Sequence, residues 1–334
     1  MAYYKGFIGS YTRRKSSGIR SFRFNEDEFI TEDFFTVDDP TYLLLDKDEH
    51  ILYSSIREGN EGGIMSLNLD TLYADKVTFE NNATPCHISK FSDFILASNY
   101  HQGYLDLYLT ENNEVQERLQ SIEFHGTGPV IERQAGSHVH FAEKNPYNDD
   151  ILVCDLGADK VYIFTNGNEL NQKGEILLPP GSGPRHFVFH GKEKILYVFS
   201  EISSELFTFN FKDGSYLLKQ AVKTLPEDFK GENTGSAIRI TPDNRFIYVS
   251  NRGHDSISVF SIKENGLLEL VEIVSTEGEH PRDFNLSPDG EFLLAGNMNT
   301  DNLTLYKVNR DTGSLKVLRN DIYSPEPTSI VFQR

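Results

Sequence analysis

Arg185 and Glu201 are the residues of this sequence that point most clearly to chemistry. Apolar residues alternate over 185–190 and over 195–200, a pattern that predicts two strands joined by a turn. In such a hairpin Arg185 lies roughly opposite Ser200, so its guanidinium meets the carboxylate of Glu201 at the open end. A guanidinium binds carboxylates, phosphates and developing oxyanions through its planar set of N–H donors. We therefore expect a binding or catalytic site at this end of the hairpin.

The hairpin belongs to a repeat that runs along the whole chain. Each unit has a small residue or proline, an alternating strand, a polar turn, a second apolar strand and a polar loop. The units begin at Pro40, Pro85, His138, Pro184, Ser236, Pro281 and Pro327. Their spacings are 45, 53, 46, 52, 45 and 46 residues. Pro-Asp-Asn at 242–244 and Pro-Asp-Gly at 288–290 are strong turn signals.

Third and fourth strands follow in each unit, for example over 256–262 and 268–274. Four antiparallel strands repeated seven times predict an all-β fold, a seven-bladed β-propeller. No linker interrupts the repeats, so we expect one domain over residues 1–334. The stretches 113–136 and 223–235 are predicted to be loops between blades.

The two ends of the sequence complement each other. The last unit supplies only one strand, over 328–333, whereas the first residues supply strands over 3–10, 18–24 and 34–37. We expect the C-terminal strand to pair with the N-terminal strands and close the ring. Closure of this kind removes an exposed sheet edge.

Polar residues from several blades should converge at one mouth of the ring. The loop leading into a blade's first strand and the loop after its second strand lie on the same face, where a concave site is expected. The lead-in residues are His87, His138, His140, Arg185, His186, His280 and Arg282. The second-strand loops contribute Ser54, Asn99, Tyr100, His101, Asp155, Asp159, Glu201, Asn251, Arg252, His254, Asp255, Asn297, Asn299 and Asp301.

Polar residues that recur from unit to unit indicate structural roles, whereas those that interrupt the repeat are candidates for function. Asp159, Asp255 and Asp301 recur at one loop position, which is typical of a structural turn. Arg185 and Arg252 are long cations without such a pattern, and Glu201 stands where other blades have Ser, Asn or Asp. These three residues form either part of a functional site or a buried salt-bridge cluster that ties two blades together. His138 and His140 compete for the inward position, and either is compatible with a structural role.

The sequence lacks the motifs that mark several classes of enzyme. There is no His-Glu-x-x-His, no paired cysteines, no phosphate loop and no Gly-x-Ser-x-Gly, so zinc, nucleotide and serine-hydrolase chemistry are not indicated. His138-x-His140 places two rings on one face of a strand, which alone is weak evidence for a metal. We expect neither a metal nor another cofactor.

Composition limits the partners of the protein. The formal net charge of −18 argues against a nucleic-acid or anionic-membrane partner, yet a few arginines in a cleft still suit a small anionic substrate. The two cysteines do not indicate a disulfide scaffold. No signal peptide and no apolar run of about 18 residues is apparent. These features predict a cytoplasmic protein, and they carry no signal for its oligomeric state.

Five motifs together resemble a known family. They are Gly136-Ser-His-Val-His, Cys154-Asp-Leu-Gly-Ala-Asp-Lys-Val, Gly183-Pro-Arg-His, Ser250-Asn-Arg-Gly-His-Asp-Ser-Ile and Pro281-Arg-Asp-Phe. The chain resembles the seven-bladed propeller lactonases, which include bacterial 6-phosphogluconolactonases and are similar to fungal carboxymuconate lactonising enzymes. The resemblance spans nearly the whole chain and implies a metal-independent site at the channel mouth. The chain departs from the usual pattern of this family at Ser236 and in the Phe-Ser-Glu sequence that ends at Glu201.

The resemblance implies specific roles for residues at the mouth. The implied catalytic residues are His140, Arg185, Glu201 and Arg252, and the expected substrate-binding residues are His87, His138, His186, Asn251, His254 and Arg282. The implied reaction is hydrolysis of 6-phosphogluconolactone to 6-phosphogluconate in the pentose phosphate pathway. Arg185 and Arg252 would contact phosphate and oxyanion, with His140 or Glu201 as general base. The alternatives are a lactonase or cycloisomerase for another sugar or muconate lactone, and a non-catalytic binding propeller.

Overall fold

The computed structural model describes residues 3–46, 48, 50–79 and 83–334, and these residues form seven four-stranded antiparallel sheets. In chain order the strands are β1 (Tyr4–Ser10), β2 (Gly18–Phe24), β3 (Phe29–Thr36), β4 (Leu43–Leu45), β5 (Ile51–Glu58), β6 (Glu61–Asn68), β7 (Ala74–Phe79), β8 (His87–Phe91), β9 (Phe94–Asn99), β10 (Tyr104–Glu111), β11 (Glu114–Glu123), β12 (Val139–Lys144), β13 (Ile151–Asp155), β14 (Lys160–Phe164), β15 (Gln172–Leu177), β16 (Pro184–Phe189), β17 (Ile195–Ser200), β18 (Glu205–Lys212), β19 (Ser215–Lys223), β20 (Thr234–Ile240), β21 (Phe246–Arg252), β22 (Ser256–Ile262), β23 (Leu268–Ser275), β24 (Pro281–Leu286), β25 (Phe292–Asn297), β26 (Asn302–Val308), β27 (Leu315–Tyr323) and β28 (Pro327–Phe332).

Each sheet is one blade of a seven-bladed β-propeller, which confirms the predicted fold class. Blade 1 has the strand order β28-β1-β2-β3. Blades 2 to 7 follow along the chain as β4–β7, β8–β11, β12–β15, β16–β19, β20–β23 and β24–β27. The first strand of each of these six blades lies innermost, at the central channel.

The ring closes within blade 1, as predicted. Strand β28 pairs antiparallel with β1, and the register places Phe332 opposite Gly6 and Ile330 opposite Ile8. The inner strand of this blade therefore comes from the end of the described chain and its other three strands from the beginning. The backbone groups at the edge of β1 are satisfied inside the molecule, which leaves no open seam.

The hydrophobic core lies between the blades rather than in one centre. Seven clusters of buried apolar side chains each join residues of two neighbouring blades. Between blades 5 and 6, for example, Phe199 packs in one cluster with Val249 and Phe260. Alternating aromatic and β-branched residues produce this arrangement because each sheet must bury both of its faces.

The recurring loop aspartates connect successive blades. Asp159 accepts the Gly183 N–H at 2.7 Å, and Asp255 accepts the His280 N–H at 2.8 Å. Asp301 accepts the Glu326 N–H at 3.0 Å. The sequence predicted bonds within each turn, and Asp255 does accept the Gly253 N–H at 3.0 Å. What the three carboxylates share, however, is a bond to the backbone that enters the next blade.

The outer strands differ most from the sequence-based prediction. The stretch 113–136 was expected to be a loop, yet Glu114–Glu123 forms β11, the outer strand of blade 3. Its polar residues face solvent, so the apolar alternation that reveals an inner strand is weak here. The remaining loop contains α1 (Ile131–Gln134), and no helix among the described residues is long and apolar enough to span a membrane. Strand β3 also begins earlier than expected, at Phe29.

Candidate functional site

Three of the polar residues predicted at the channel mouth occupy equivalent β-bulges in three different blades. The pairing of β12 with β13 shifts between Val139 and Phe141, which leaves His140 as the extra residue. The same shift isolates Arg185 in blade 5 and Arg282 in blade 7. A bulge redirects the side chain of its extra residue. Here His140 and Arg282 line the cavity at the mouth, whereas Arg185 is buried against Glu201 and does not line it.

A second set of side chains comes from the ends of the second strands. Arg252 is the last residue of β21, and Glu201 directly follows β17. Tyr11 and Tyr100 follow the second strands of blades 1 and 3 in the same way. The register corrects one sequence-based alignment, because Ser200 and not Glu201 is equivalent to Asp155, Asn251 and Asn297.

The two sets enclose a cavity of about 390 Å³ at the mouth. Its lining residues are Tyr11, Arg13, Asp39, Thr41, Arg57, Asn60, Gly62, Ala83, Thr84, Cys86, Tyr100, His101, Arg133, His140, Glu201, Arg252 and Arg282. Five of these are arginines and two are acidic residues. The cavity is therefore locally basic although the chain carries a formal net charge of −18, and it suits a small anion.

Glu201 is the centre of a buried ionic cluster. Its Oε2 atom lies 2.9 Å from Nε of Arg185 and 2.8 Å from Nη2 of Arg252. Its Oε1 atom accepts a hydrogen bond from Nη2 of Arg133. Burial alone would raise the pKa of Glu201, but Arg252, Arg185, His140 and Arg133 together hold this pKa well below its ordinary value. Glu201 is thus a permanent carboxylate that orients three guanidinium groups.

His140 is buried beside this cluster with its Nδ1 atom unpartnered among the described residues. Its ring lies against His186, with 5.1 Å between centroids, and against Tyr100, with 5.5 Å between centroids. Burial and the nearby charge of Arg185 lower the pKa of His140 well below its ordinary value, although Glu201 opposes this shift. The imidazole is therefore neutral near pH 7 and has a nitrogen able to accept a proton.

The other lead-in histidines occupy different surroundings. His138 donates from Nδ1 to the Tyr100 carbonyl oxygen at 2.8 Å and stacks on that ring, so it does not line the cavity. His87 and His186 follow the bulge position by one residue and line a second cavity of about 290 Å³ deeper in the channel. Their expected location at the mouth is wrong, because the side chain after a bulge points further along the channel.

Two residues of the second-strand loops also lie outside the cavity. Asn251 donates to the Ser258 hydroxyl at 2.9 Å and accepts from the Thr224 hydroxyl at 2.8 Å. His254 is hydrogen-bonded to Ser256 at 2.8 Å and packs against the edge of Phe229. Asn251 satisfies its side-chain amide within blade 6 and the adjoining loop. Neither residue lines the mouth cavity, and their role in substrate binding stays a prediction. Arg282, by contrast, lines the cavity.

The sequence did not single out Arg13, Arg57 or Arg133. Arg57 occupies the second-strand position that Glu201 and Arg252 share, so an alignment of the repeats could have identified it. Arg133 lies on α1, where Gln134 donates to Asp159 at 2.8 Å and fixes the helix. The short helix α1 in this loop has no counterpart among the described residues of the other units, and no repeat signal marks it.

The remaining chemistry of the cavity is limited. Burial raises the pKa of the Cys86 thiol to about 11, so this cysteine stays protonated near neutral pH. Within the described ranges no group of three or more His, Cys, Asp or Glu side chains is arranged to hold a metal ion. The arrangement consists of a neutral imidazole, an oriented guanidinium cluster and a basic cavity, which together can bind an anion and stabilise an oxyanion.

Comparisons with known proteins agree with this geometry. A family model described as "Lactonase, 7-bladed beta-propeller" matches residues 5–332. The 6-phosphogluconolactonase of Bacillus subtilis (strain 168) is 37% identical, over 99% of both chains. The crystal structure of a Lactobacillus plantarum protein superposes with a TM-score of 0.95 at 31% identity and covers 100% of both chains. The periplasmic gluconolactonase of Pseudomonas aeruginosa superposes with a TM-score of 0.91 at 25% identity and covers 99% of both. Over almost its whole length this chain belongs to the seven-bladed β-propeller lactonase family.

Proposed function

We propose that the protein hydrolyses 6-phosphogluconolactone to 6-phosphogluconate, a step of the pentose phosphate pathway, at the basic cavity. The observation that carries this proposal is that His140 lines the same cavity as the Glu201 carboxylate, which holds the guanidinium groups of Arg185 and Arg252. The 37% identity to a protein named 6-phosphogluconolactonase supports the choice of substrate.

In this proposal His140 is the general base. It accepts a proton from a water molecule as the water oxygen attacks the lactone carbonyl carbon. Glu201 is a weak candidate for this role because three arginines hold it as a carboxylate of low pKa. An anionic substrate in the cavity would raise the proton affinity of His140, which an empty basic cavity lowers.

The guanidinium groups stabilise the charge that forms. Attack converts the carbonyl oxygen into an oxyanion, and Arg252 and Arg133 present N–H donors at the cavity surface. Collapse of the intermediate breaks the bond between the carbonyl carbon and the ring oxygen. The protonated His140 returns its proton to that oxygen, and the new carboxylic acid loses a proton to solvent.

The first test is hydrolysis of freshly prepared 6-phosphogluconolactone against its spontaneous rate, with and without a chelator. We expect clear acceleration that the chelator does not change. An uncatalysed rate would contradict the proposed substrate, and loss of activity with chelator would contradict a metal-independent site.

The His140→Gln variant tests the general base. We expect kcat to fall by about 10²–10⁴-fold, the usual contribution of acid–base catalysis. The matched control is His125→Gln, because His125 is exposed and outside the cavity. Unchanged turnover in the His140 variant would refute its role.

One neighbour favours a second candidate substrate. The Pseudomonas aeruginosa protein is named a gluconolactonase, which denotes a lactone without phosphate. Measurement of kcat/KM for glucono-δ-lactone beside the phosphorylated lactone distinguishes the two candidates, and a preference for the unphosphorylated lactone would replace the first.

A further inference from the structure

Two arginines of the cavity have no carboxylate partner among the described residues. Arg133, Arg185 and Arg252 share Glu201. Arg57 lies beside Asp39, with 3.1 Å between Nε and Oδ2. For Arg13 and Arg282, in contrast, no carboxylate oxygen of the described chain lies within ion-pair distance, although both line the cavity.

Arg13 and Arg282 contact the same aromatic ring. The guanidinium carbon of Arg13 lies 3.8 Å from the centroid of the Tyr11 ring, and that of Arg282 lies 5.3 Å from it. Cation–π contacts hold both groups in place without neutralising them. Two like charges beside one ring repel each other, and a dianion between them would remove that repulsion.

The backbone holds both arginines at defined positions. The loop after β1 is fixed because the buried Glu326 carboxylate accepts the N–H groups of Arg14 at 2.8 Å and Lys15 at 3.0 Å. Tyr11 also donates its N–H to the Glu326 carbonyl at 3.1 Å. Arg282 is held by the bulge in β24. The pair therefore belongs to an organised part of the mouth.

The pair lies across the ring from the proposed base. Arg13 belongs to blade 1 and Arg282 to the adjacent blade 7, whereas His140 belongs to blade 4. In a ring of seven blades, blade 4 is opposite the junction of blades 7 and 1. In the δ-lactone the carbonyl carbon and the carbon that carries the phosphorylated side chain flank the ring oxygen. The carbonyl and the phosphate therefore project from two different positions of the sugar ring and can contact different blades.

We infer that Arg13 and Arg282, supported by Tyr11, form a subsite for the phosphate monoester of the substrate. This inference rests on the proposed lactonase function and names the group that selects a phosphorylated lactone. The sequence-based expectation was that Arg185 and Arg252 would contact the phosphate. The proposed subsite differs from that expectation, because both of these arginines form ion pairs with Glu201.

The test compares two lactones and two arginine variants. In Arg13→Gln and in Arg282→Gln, kcat/KM for 6-phosphogluconolactone should fall about 10- to 100-fold, the effect expected for one lost charged hydrogen bond. The value for glucono-δ-lactone should stay within about twofold, since that lactone lacks the phosphate that the lost charged bond contacts. The matched control is Arg23→Gln, because Arg23 packs over Tyr3 at 5.4 Å but lies outside the cavity.

Equal losses on both lactones would overturn the phosphate subsite and leave the lactonase proposal intact. Calorimetric binding of 6-phosphogluconate and gluconate provides a readout that needs no turnover. If the unaltered protein hydrolyses neither lactone, weaker binding of 6-phosphogluconate alone in the variants would sustain the subsite while the proposed reaction fails. If the unaltered protein binds 6-phosphogluconate no more tightly than gluconate, the subsite is refuted.

Discussion

At the scale of single residues, Glu201 determines how the arginines of the mouth are arranged. A carboxylate with three guanidinium partners neutralises part of their charge and fixes their direction. A buried ionic group with its partner removed is far costlier than the intact group. The same residue thus supports both the fold and the proposed oxyanion contacts.

The Glu201→Gln variant should lose about 3–5 kcal/mol of unfolding free energy, because its arginines would be left buried and unpaired. Denaturant unfolding measures this loss, and turnover should fall with it. Glu269→Gln is the control, because this glutamate pairs with Lys263 on the exposed surface. A loss no larger than that of the control would mean that the cluster does not stabilise the protein.

The contribution of Glu201 also depends on pH. Because its folded-state pKa is depressed, the stabilisation is present above the ordinary value of 4.5 and is lost as the pH falls toward the folded-state pKa. The difference in melting temperature between the unaltered protein and the Glu201→Gln variant should therefore shrink between pH 7 and pH 3. A constant difference over this range would contradict an ionic origin.

Residue patterns predicted part of the site and missed part for physical reasons. Arg185, Glu201 and Arg252 stand out because long charged side chains interrupt a repeat. The choice between His138 and His140 depends on a bulge, which shifts the register by one residue and has no sequence signature of its own. Arg133 is brought to the cavity by α1, which the repeat pattern does not mark.

At the scale of elements, tyrosines of the second strands connect neighbouring blades. The Tyr197 hydroxyl donates to the Gly266 carbonyl at 2.8 Å, and that of Tyr248 donates to the Gly313 carbonyl at 2.7 Å. Tyr53 makes the same type of bond to Asn113 at 2.8 Å. Each bond joins the middle of one blade to the outer turn of the next, and the bonds to Gly266 and Gly313 are buried.

Removal of one such hydroxyl should weaken one junction. Tyr248→Phe leaves the Gly313 carbonyl without this donor and should cost about 1–3 kcal/mol of unfolding free energy. Denaturant unfolding is the measurement, and Tyr73→Phe at an exposed position is the control. If Tyr248→Phe lost no more unfolding free energy than Tyr73→Phe, the Tyr248 hydroxyl would contribute nothing to the stability of the junction.

Inner and outer strands were not equally predictable. Inner strands carry mostly buried residues and are flanked by turn residues, so they are visible in the sequence. The outer strand β11 carries Glu114, Gln116 and Glu117 at its solvent-facing edge, and its pairing with β10 depends on main-chain bonds that sequence patterns do not show.

At the scale of the whole molecule, the channel contains acidic and basic groups below the proposed site. Glu143 and Arg239 line the deeper cavity together with His87 and His186. Desolvation between the channel walls raises the pKa of Glu143 to about 7 against the opposing influence of Arg239, although solvent in the channel still reaches this side chain. The folded state therefore favours the protonated form of Glu143.

This shift predicts a pH-dependent effect of Glu143→Gln. Ionisation of Glu143 costs folded-state stability as the pH rises from 4.5 to about 7, so the variant should melt higher than the unaltered protein at pH 8. The two should melt alike at pH 4. The control is Glu264→Gln, because Glu264 is exposed and does not line the channel cavity. Equal melting temperatures of Glu143→Gln and the unaltered protein at pH 8 would contradict the shift.

Closure of the ring in blade 1 has a kinetic consequence. The pairing of Gly6 with Phe332 joins residues at nearly the greatest separation that the described chain allows. Such a contact has a very high contact order, so it should form late in folding, after shorter-range blades have assembled. Until then β1 remains an unpaired edge that a second molecule could occupy. Domain-swapped aggregates would therefore arise at the stage before β28 pairs with β1. The yield of refolded protein should fall as protein concentration rises.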